Sequence, residues 1–179
     1  MPKHRYLDIS QPRLMAIVNV TPDSFSDGGQ YYKNNKLDFG LVFAQIEQMV
    51  VDGAEIIDIG GESTRPGAQP VSMQEELDRV IPAVEMIVKN FDVAISVDTS
   101  NAAVMSAAIA AGAHLINDVR ALSSPGALEV AASSSVTLCL MHMQGEPRTM
   151  QQDPHYNDVV TAVKTYLQQR IEILSLIHI

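Results

Sequence analysis

Basic side chains are scarce in this sequence: 12 lysines and arginines stand against 21 aspartates and glutamates, for a formal net charge of −9 over 179 residues. A surface that follows a phosphate backbone needs clustered Lys and Arg, so nucleic acid is excluded as a partner and small molecules are favoured. Cysteine is down to one, Cys139, which rules out a disulfide framework and fits a reducing compartment. Lying inside an apolar run, Cys139 is expected to be a small buried hydrophobe. No apolar run reaches 18 residues, so no membrane contact is expected. Residues 1–10 carry Lys3, His4 and Arg5 without an apolar stretch long enough for a secretory signal, and the expected location is the cytoplasm. Several catalytic signatures are also missing. There is no Cys/His cluster spaced for zinc, no Gly-rich phosphate loop, no GxGxxG fingerprint and no serine nucleophile elbow. His4, His114, His155 and His178 have no ligand spacing. His142, with no carboxylate beside it in sequence, is expected to be structural or pocket-lining.

What the chain does have is a hydrophobic content of 46%, enough for one core, and a pattern that alternates short apolar runs with amphipathic stretches. Strands are expected at 14–18, 55–59, 93–97, 115–116 and 136–141. Helices are expected at 37–51, from Ser72 through Lys89, at 102–111, at 127–133 and from Asp158 onward. Ser72 with Glu75 fits a capping box, Pro82 is a candidate kink, and Val159, Val163, Tyr166, Leu167 and Ile171 share one face of the last helix. Five β-loop-α units in succession imply right-handed crossovers and a parallel sheet.

Each strand delivers polar residues at its C-terminal end: Asn19, then Thr64 with Arg65, then Asp98, Asn117, and His142 with Gln144. Such a distribution favours a barrel, whose sites are built from all the βα loops, over a doubly wound sheet, which concentrates ligand residues at one switch point. The longest loop, MAIVNVTPDSFSDGG at 15–29, leaves a buried strand and enters a Pro- and Gly-punctuated segment of the kind that carries function. Asp98 and Asn117 suit a heteroaromatic ring with an amino-amide edge, because a carboxylate accepts two N–H bonds and a carboxamide both donates and accepts. Asn19 is a neutral oxygen ligand of the sort that suits Mg²⁺ held mainly by water and phosphate. Arg65, in a Pro-Gly loop, can meet an anion or stack on an aromatic ring.

Five motifs carry a resemblance. NVTPDSFSDGG at 19–29, DIGGESTRPGA at 58–68, SVDTS at 96–100, INDV at 116–119 and LMHMQGEPRTMQ at 140–151 stand in the order and spacing of the dihydropteroate synthase family, which residues 14–173 resemble. The resemblance implies an α/β fold of the (β/α)8 TIM-barrel type, here truncated to about five β/α units. Residues 1–179 then form a single, incomplete pterin-binding domain. It also implies a transferase of folate biosynthesis that condenses 6-hydroxymethyl-7,8-dihydropterin diphosphate with p-aminobenzoate and releases pyrophosphate. By position, Asn19 would bind Mg²⁺ and the diphosphate, and Thr64 would contact the diphosphate substrate. Asp98 and Asn117 would hold the pterin edge; Phe25, Arg65 and Pro66 would line the p-aminobenzoate pocket, and Asp27 would face the developing pterin cation. Asp27 and Asn19 are thus the expected catalytic groups.

The family's last three strands are not in this sequence, and with them are missing an aspartate, a lysine and an arginine-histidine pair of the complete site. The family's homodimer also uses late helices. Residues 174–179 (LSLIHI) depart from the polar, alanine-rich continuation that the resemblance implies, and are expected to be a truncated or foreign end. A barrel cut at this point leaves its first and fifth strands as open edges, so the chain alone is expected to be unstable or inactive. Two other readings stay open: a non-catalytic pterin-binding fragment, and a pterin-binding methyltransferase-type domain, which shares the strand-end Asp and Asn but does not need the NVTPDSFSDGG and TRPG loops.

Overall fold

The computed structural model describes residues 10–21, 31–33, 36–63, 71–147 and 149–176. The expected alternation is there. In chain order the elements are β1 (Met15–Asn19), a small hairpin of β2 (Tyr32–Lys33) and β3 (Lys36–Leu37), α1 (Phe39–Val51), β4 (Ile56–Gly60), α2 (Met73–Asn90), β5 (Ala94–Asp98), α3 (Ala102–Ala111), β6 (Leu115–Asp118), α4 (Ala127–Ala132), β7 (Thr137–Leu140) and α5 (Val159–Leu176). β1, β4, β5, β6 and β7 form one parallel sheet in that order. Spatial order follows chain order with no reversal, as in a barrel; a doubly wound sheet would turn back at a switch point. The β2–β3 hairpin has no counterpart in the sequence pattern, because two-residue strands are too short to show a period.

Local chemistry sets the helix starts. Asp38 caps α1 by accepting from the Gly40 and Leu41 amides, Asn101 caps α3 through Ala103, and the Ser72–Glu75 capping box opens α2 with both reciprocal bonds made. α2 continues unbroken through Pro82. Gly112 ends α3 at φ 111°, a left-handed conformation that favours glycine.

The core lies between sheet and helices. Val18, Ile57, Ile59, Ile95, Val97 and Ile116 point from the strands to meet Val42 and Ile46 of α1, Val80, Val84 and Ile87 of α2, and Val104 and Met105 of α3. The intervening strand positions make up the other, inner face: Ile17, Asp58, Ser96, Leu115 and Thr137 in one register row, Asn19, Gly60, Asp98, Asn117 and Cys139 in the next. Two expectations change here. Cys139 is exposed rather than buried, because its apolar run alternates and the thiol falls on the inner face of an edge strand. The apolar face of α5 is also only partly covered: Val159 and Ile171 are exposed, Val163, Tyr166 and Leu167 are half-buried, and Leu174 is the one residue of the helix that is buried in the core.

Candidate active site

The second inner row is the site's foundation. Asn19 pairs in register with Gly60, Gly60 with Asp98, and Asp98 with Asn117, so four adjacent strands end on one face with three polar side chains and a glycine. Asn19, Asp98 and Asn117 were expected just past their strands; all three are strand residues, and Asn117 is followed in β6 by Asp118. The glycine is needed. A β-carbon on Gly60 would come within 2.9 Å of Asn19 Oδ1 and 4.0 Å of Asp98 Cβ.

Above the row lies a cavity of about 380 Å³, bounded by Glu62 and Ser63 after β4, Glu76 of α2, Asp98 to Ser100 after β5, Arg120 after β6 and Glu146 after β7. Every strand from β4 to β7 thus contributes a loop, as the distribution of polar residues implies. Asp98 is the residue common to the row and the cavity. Its carboxyl is pushed up to about 7, first by burial and then by the like charges of Asp58, Asp118, Glu76 and Glu62. A carboxylate held near neutrality is poised to gain or lose a proton as a ligand's N–H groups arrive.

Four side chains missing from the sequence-based site hold it in shape. Asp58, inside β4, is 4% exposed and accepts from Asn117 Nδ2 at 3.3 Å. Burial raises its proton affinity, opposed first by the neighbouring Ser96 hydroxyl and then by the hydrogen bond from Asn117. Glu76, also 4% exposed, accepts from Thr99 Oγ1; burial raises it too, opposed chiefly by that bond. Asp118 is fully buried and gathers the loop after β6, accepting from the Ser100 hydroxyl and from the amides of Arg120 and Leu122 at 2.8 and 2.7 Å. The same turn places Ala121 and Leu122 at φ 51° and 59°, a strained conformation of the sort kept where surroundings over-determine it. Arg170 of α5 braces it by donating Nε–H to the Ala121 carbonyl at 2.8 Å. Arg120, the fourth side chain, is thereby set at the cavity rim, ion-paired with Glu146. For Asp58 and Asp118 the only sequence signal was an acidic side chain within a buried apolar strand; Glu76 on α2 and Arg120 in the loop after β6 carried none.

His142 and Gln144 are engaged elsewhere. The His142 ring meets Tyr166 edge-on at 5.0 Å and lies 5.8 Å from Tyr156, a structural role as expected. Gln144 closes its loop with a reciprocal pair of 2.9 Å bonds to the His155 backbone. Phe25, Asp27, Thr64, Arg65 and Pro66 lie outside the described residues.

For the Mg²⁺ that the resemblance implies, the relevant atom is Asn19 Oδ1, standing over the side-chain-free space at Gly60. Among the described residues no group of three or more His, Cys, Asp or Glu could hold a metal ion. One neutral oxygen in an open cradle fits a cation that keeps its waters and binds ligand phosphate, and does not fit an all-protein cage.

Comparison with known proteins agrees with this geometry. The model of the pterin binding enzyme family matches residues 15–179, through the final stretch of the chain. The dihydropteroate synthase of Haemophilus influenzae is 53% identical over 167 residues, which are 93% of this chain and 59% of that protein. A crystal structure of the Yersinia pestis dihydropteroate synthase with a sulfonamide drug complex superposes with a TM-score of 0.90 at 52% identity, covering 97% of this chain and 61% of that one. The Xanthomonas albilineans enzyme with 4-aminobenzoic acid superposes with a TM-score of 0.83 at 47% identity, covering 96% and 59%. The chain therefore spans about three-fifths of the length of these relatives. A family match over nearly the whole sequence, with superposition on both solved structures at TM-scores of 0.90 and 0.83, places the chain in the pterin-binding enzyme family.

Proposed function

We propose that this chain carries the pterin-holding part of a dihydropteroate synthase, acting in the cytoplasm on a pterinylmethyl diphosphate and p-aminobenzoate. The observation that supports it is the in-register row of Asn19, Asp98 and Asn117 beneath an acid-lined cavity. In the reaction the C–O bond to diphosphate breaks, a C–N bond to the arylamine forms, pyrophosphate departs and the amine proton passes to solvent. Asp98 accepts the N–H groups of the pterin edge, and Asn117 continues that edge. The acid-rich wall of Glu62, Glu76 and Asp98 favours positive charge developing on the ring. Asn19 would help hold Mg²⁺, which when bound stabilises the departing diphosphate. Of the residues outside the described segments, Thr64 is assigned to the diphosphate, Phe25, Arg65 and Pro66 to the arylamine pocket, and Asp27 to the developing cation.

A second reading, a domain that binds pterin without turning it over, draws on the open sheet: β1 and β7 have no further strand partner among the described residues. Titrating the chain with the pterin diphosphate, with and without Mg²⁺, alongside an assay of dihydropteroate formation separates them. Binding with turnover supports a competent synthase, binding without turnover supports the second reading, and no binding at all overturns both.

A further inference from the structure

Building on the pterin-site reading, we infer that Asp58 is a positioning residue that decides which end of the Asn117 carboxamide meets the ligand. Asp58 is the only charged residue of β4, whose five residues are all buried. It pairs in register with Ser96, whereas Asn117 pairs with Asp98, two residues further along β5. The bond from Asn117 Nδ2 to Asp58 Oδ2 therefore runs diagonally across β5 and ties the first inner row to the second. When ionised, the Asp58 carboxylate only accepts, so the nitrogen end of the amide faces it; the flipped amide would set two acceptors against each other. Asn117 Oδ1, with no partner among the described residues, is left as the end that meets a ligand.

Asp98, the register neighbour of Asn117, is likewise an acceptor when ionised. The two together present acceptors to one edge of the ligand. Such a pair selects a ring whose edge carries neighbouring N–H donors, and rejects one that offers an acceptor there. Asp58 itself lies one row deeper and is 4% exposed, so it acts through Asn117 rather than by touching the ligand. Among the described residues Asn117 is the one side chain that reaches the Asp58 carboxylate with a hydrogen bond; Asp58 Oδ1 and the hydroxyl of its register neighbour Ser96 make none.

The test uses the 179-residue chain, with 6-hydroxymethylpterin as the probe and its ring fluorescence as the signal. Asp58→Leu, which removes the acceptor while keeping the branched shape of the side chain, weakens binding about tenfold, the cost of releasing one buried hydrogen bond. Asp58→Asn, whose side-chain oxygen still accepts, restores affinity to within about threefold of wild type. In an Asn117→Ala background Asp58→Leu has no further effect, because the two residues act as one unit. A loss that adds in full to that of Asn117→Ala, or an Asp58→Leu chain that binds like wild type, overturns the inference. A ligand-free readout stands beside this. The Asn117 side-chain amide protons exchange slowly in wild type and in Asp58→Asn, and fast in Asp58→Leu. If the wild-type chain binds no pterin, the functional reading fails and the exchange measurement alone decides the role of Asp58. Exchange at the solvent rate in wild type overturns that role, even if Asp58→Leu does not fold.

Discussion

Thr99 donates its hydroxyl to Glu76 Oε1 at 2.5 Å, joining the end of β5 to α2 with both residues 4% exposed. The Thr99 oxygen also accepts from the Asn101 amide at 3.1 Å, so one bond fixes the start of α3 as well. Glu76→Ala leaves that hydroxyl without its acceptor and opens a cavity, at a cost of about 2–3 kcal/mol. Glu76→Gln keeps an acceptor and removes a charge that burial penalises, so it costs about 1 kcal/mol or less and approaches wild type as pH rises. Urea unfolding at pH 7 compares the three chains. Equal losses for alanine and glutamine variants would show that the charge, not the bond, matters.

Gly60 and Gly61 are adjacent but do different things. A β-carbon on Gly61 meets Val80 Cγ2 at 2.5 Å and Glu76 Cγ at 3.0 Å, and its carbonyl accepts from Arg79 at 3.1 Å. Gly61→Ala therefore pushes α2 off the sheet and destabilises by about 1–3 kcal/mol. At Gly60 the obstacle is the movable Asn19 carboxamide. Gly60→Ala is expected to keep most of the stability and to lower affinity for pterin diphosphate in the presence of Mg²⁺ by about tenfold. Thermal melts and titrations of both variants give the comparison; a Gly60 variant that loses stability rather than affinity contradicts it.

Much of this architecture was legible in the sequence. The strand and helix pattern could be placed because buried parallel strands are continuous apolar runs and the helices carry strong caps, as at Ser72 and Asn101. Asn19, Asp98 and Asn117 could be picked out because they interrupt apolar runs where the strands end. Asp58, Glu76 and Asp118 could not, since their importance comes from partners 59, 23 and 18 residues away. Cys139 was misplaced because an apolar run gives no sign of which of its positions faces an uncovered side.

The acids around Asp98 make stability fall as pH rises. Asp98 is held at about 7 when folded and has the ordinary carboxylate value of 3.8 otherwise, so between those values the folded chain binds more protons than the unfolded one. Its contribution is complete below about 4 and is lost as pH climbs through about 7. Asp58 and Glu76, raised by burial, act in the same direction. Glu75 and Asp158 are lowered by hydrogen bonds at helix starts, and oppose the trend only at the acid end. The melting temperature is expected to fall from pH 5 to pH 8, and Asp98→Asn to flatten the slope and to be more stable than wild type at pH 8 while binding pterin less tightly. A melting temperature that rises over this interval contradicts the electrostatic picture.

The two edges of the sheet set how the polypeptide behaves in solution. At the β1 edge, Leu14 just before the strand and Ile17 within it are 55% and 56% exposed, and between β7 and α5 runs a groove of about 480 Å³ lined by Val136, Leu138, Leu140, Leu167, Ile171 and Leu174. Unpaired strand edges template pairing with other chains, and contiguous apolar surface of this kind draws molecules together. The 179-residue polypeptide is expected to self-associate with rising concentration in sedimentation and to bind an apolar dye. Charge placed on either surface, as Ile17→Lys or Ile171→Glu, should lower association with little change in melting temperature, because both side chains are already more than half exposed. Cys139 gives an internal check. Its thiol lies exposed on β7, and although partial burial and the charges of Asp58 and Asp98 push it up and slow its reaction with a maleimide, that reaction is faster in the monomer than once the edge is covered. Association that leaves Cys139 equally reactive would place the contact elsewhere than β7, and a chain that stays monomeric would show that the edges are protected by something other than their sequence.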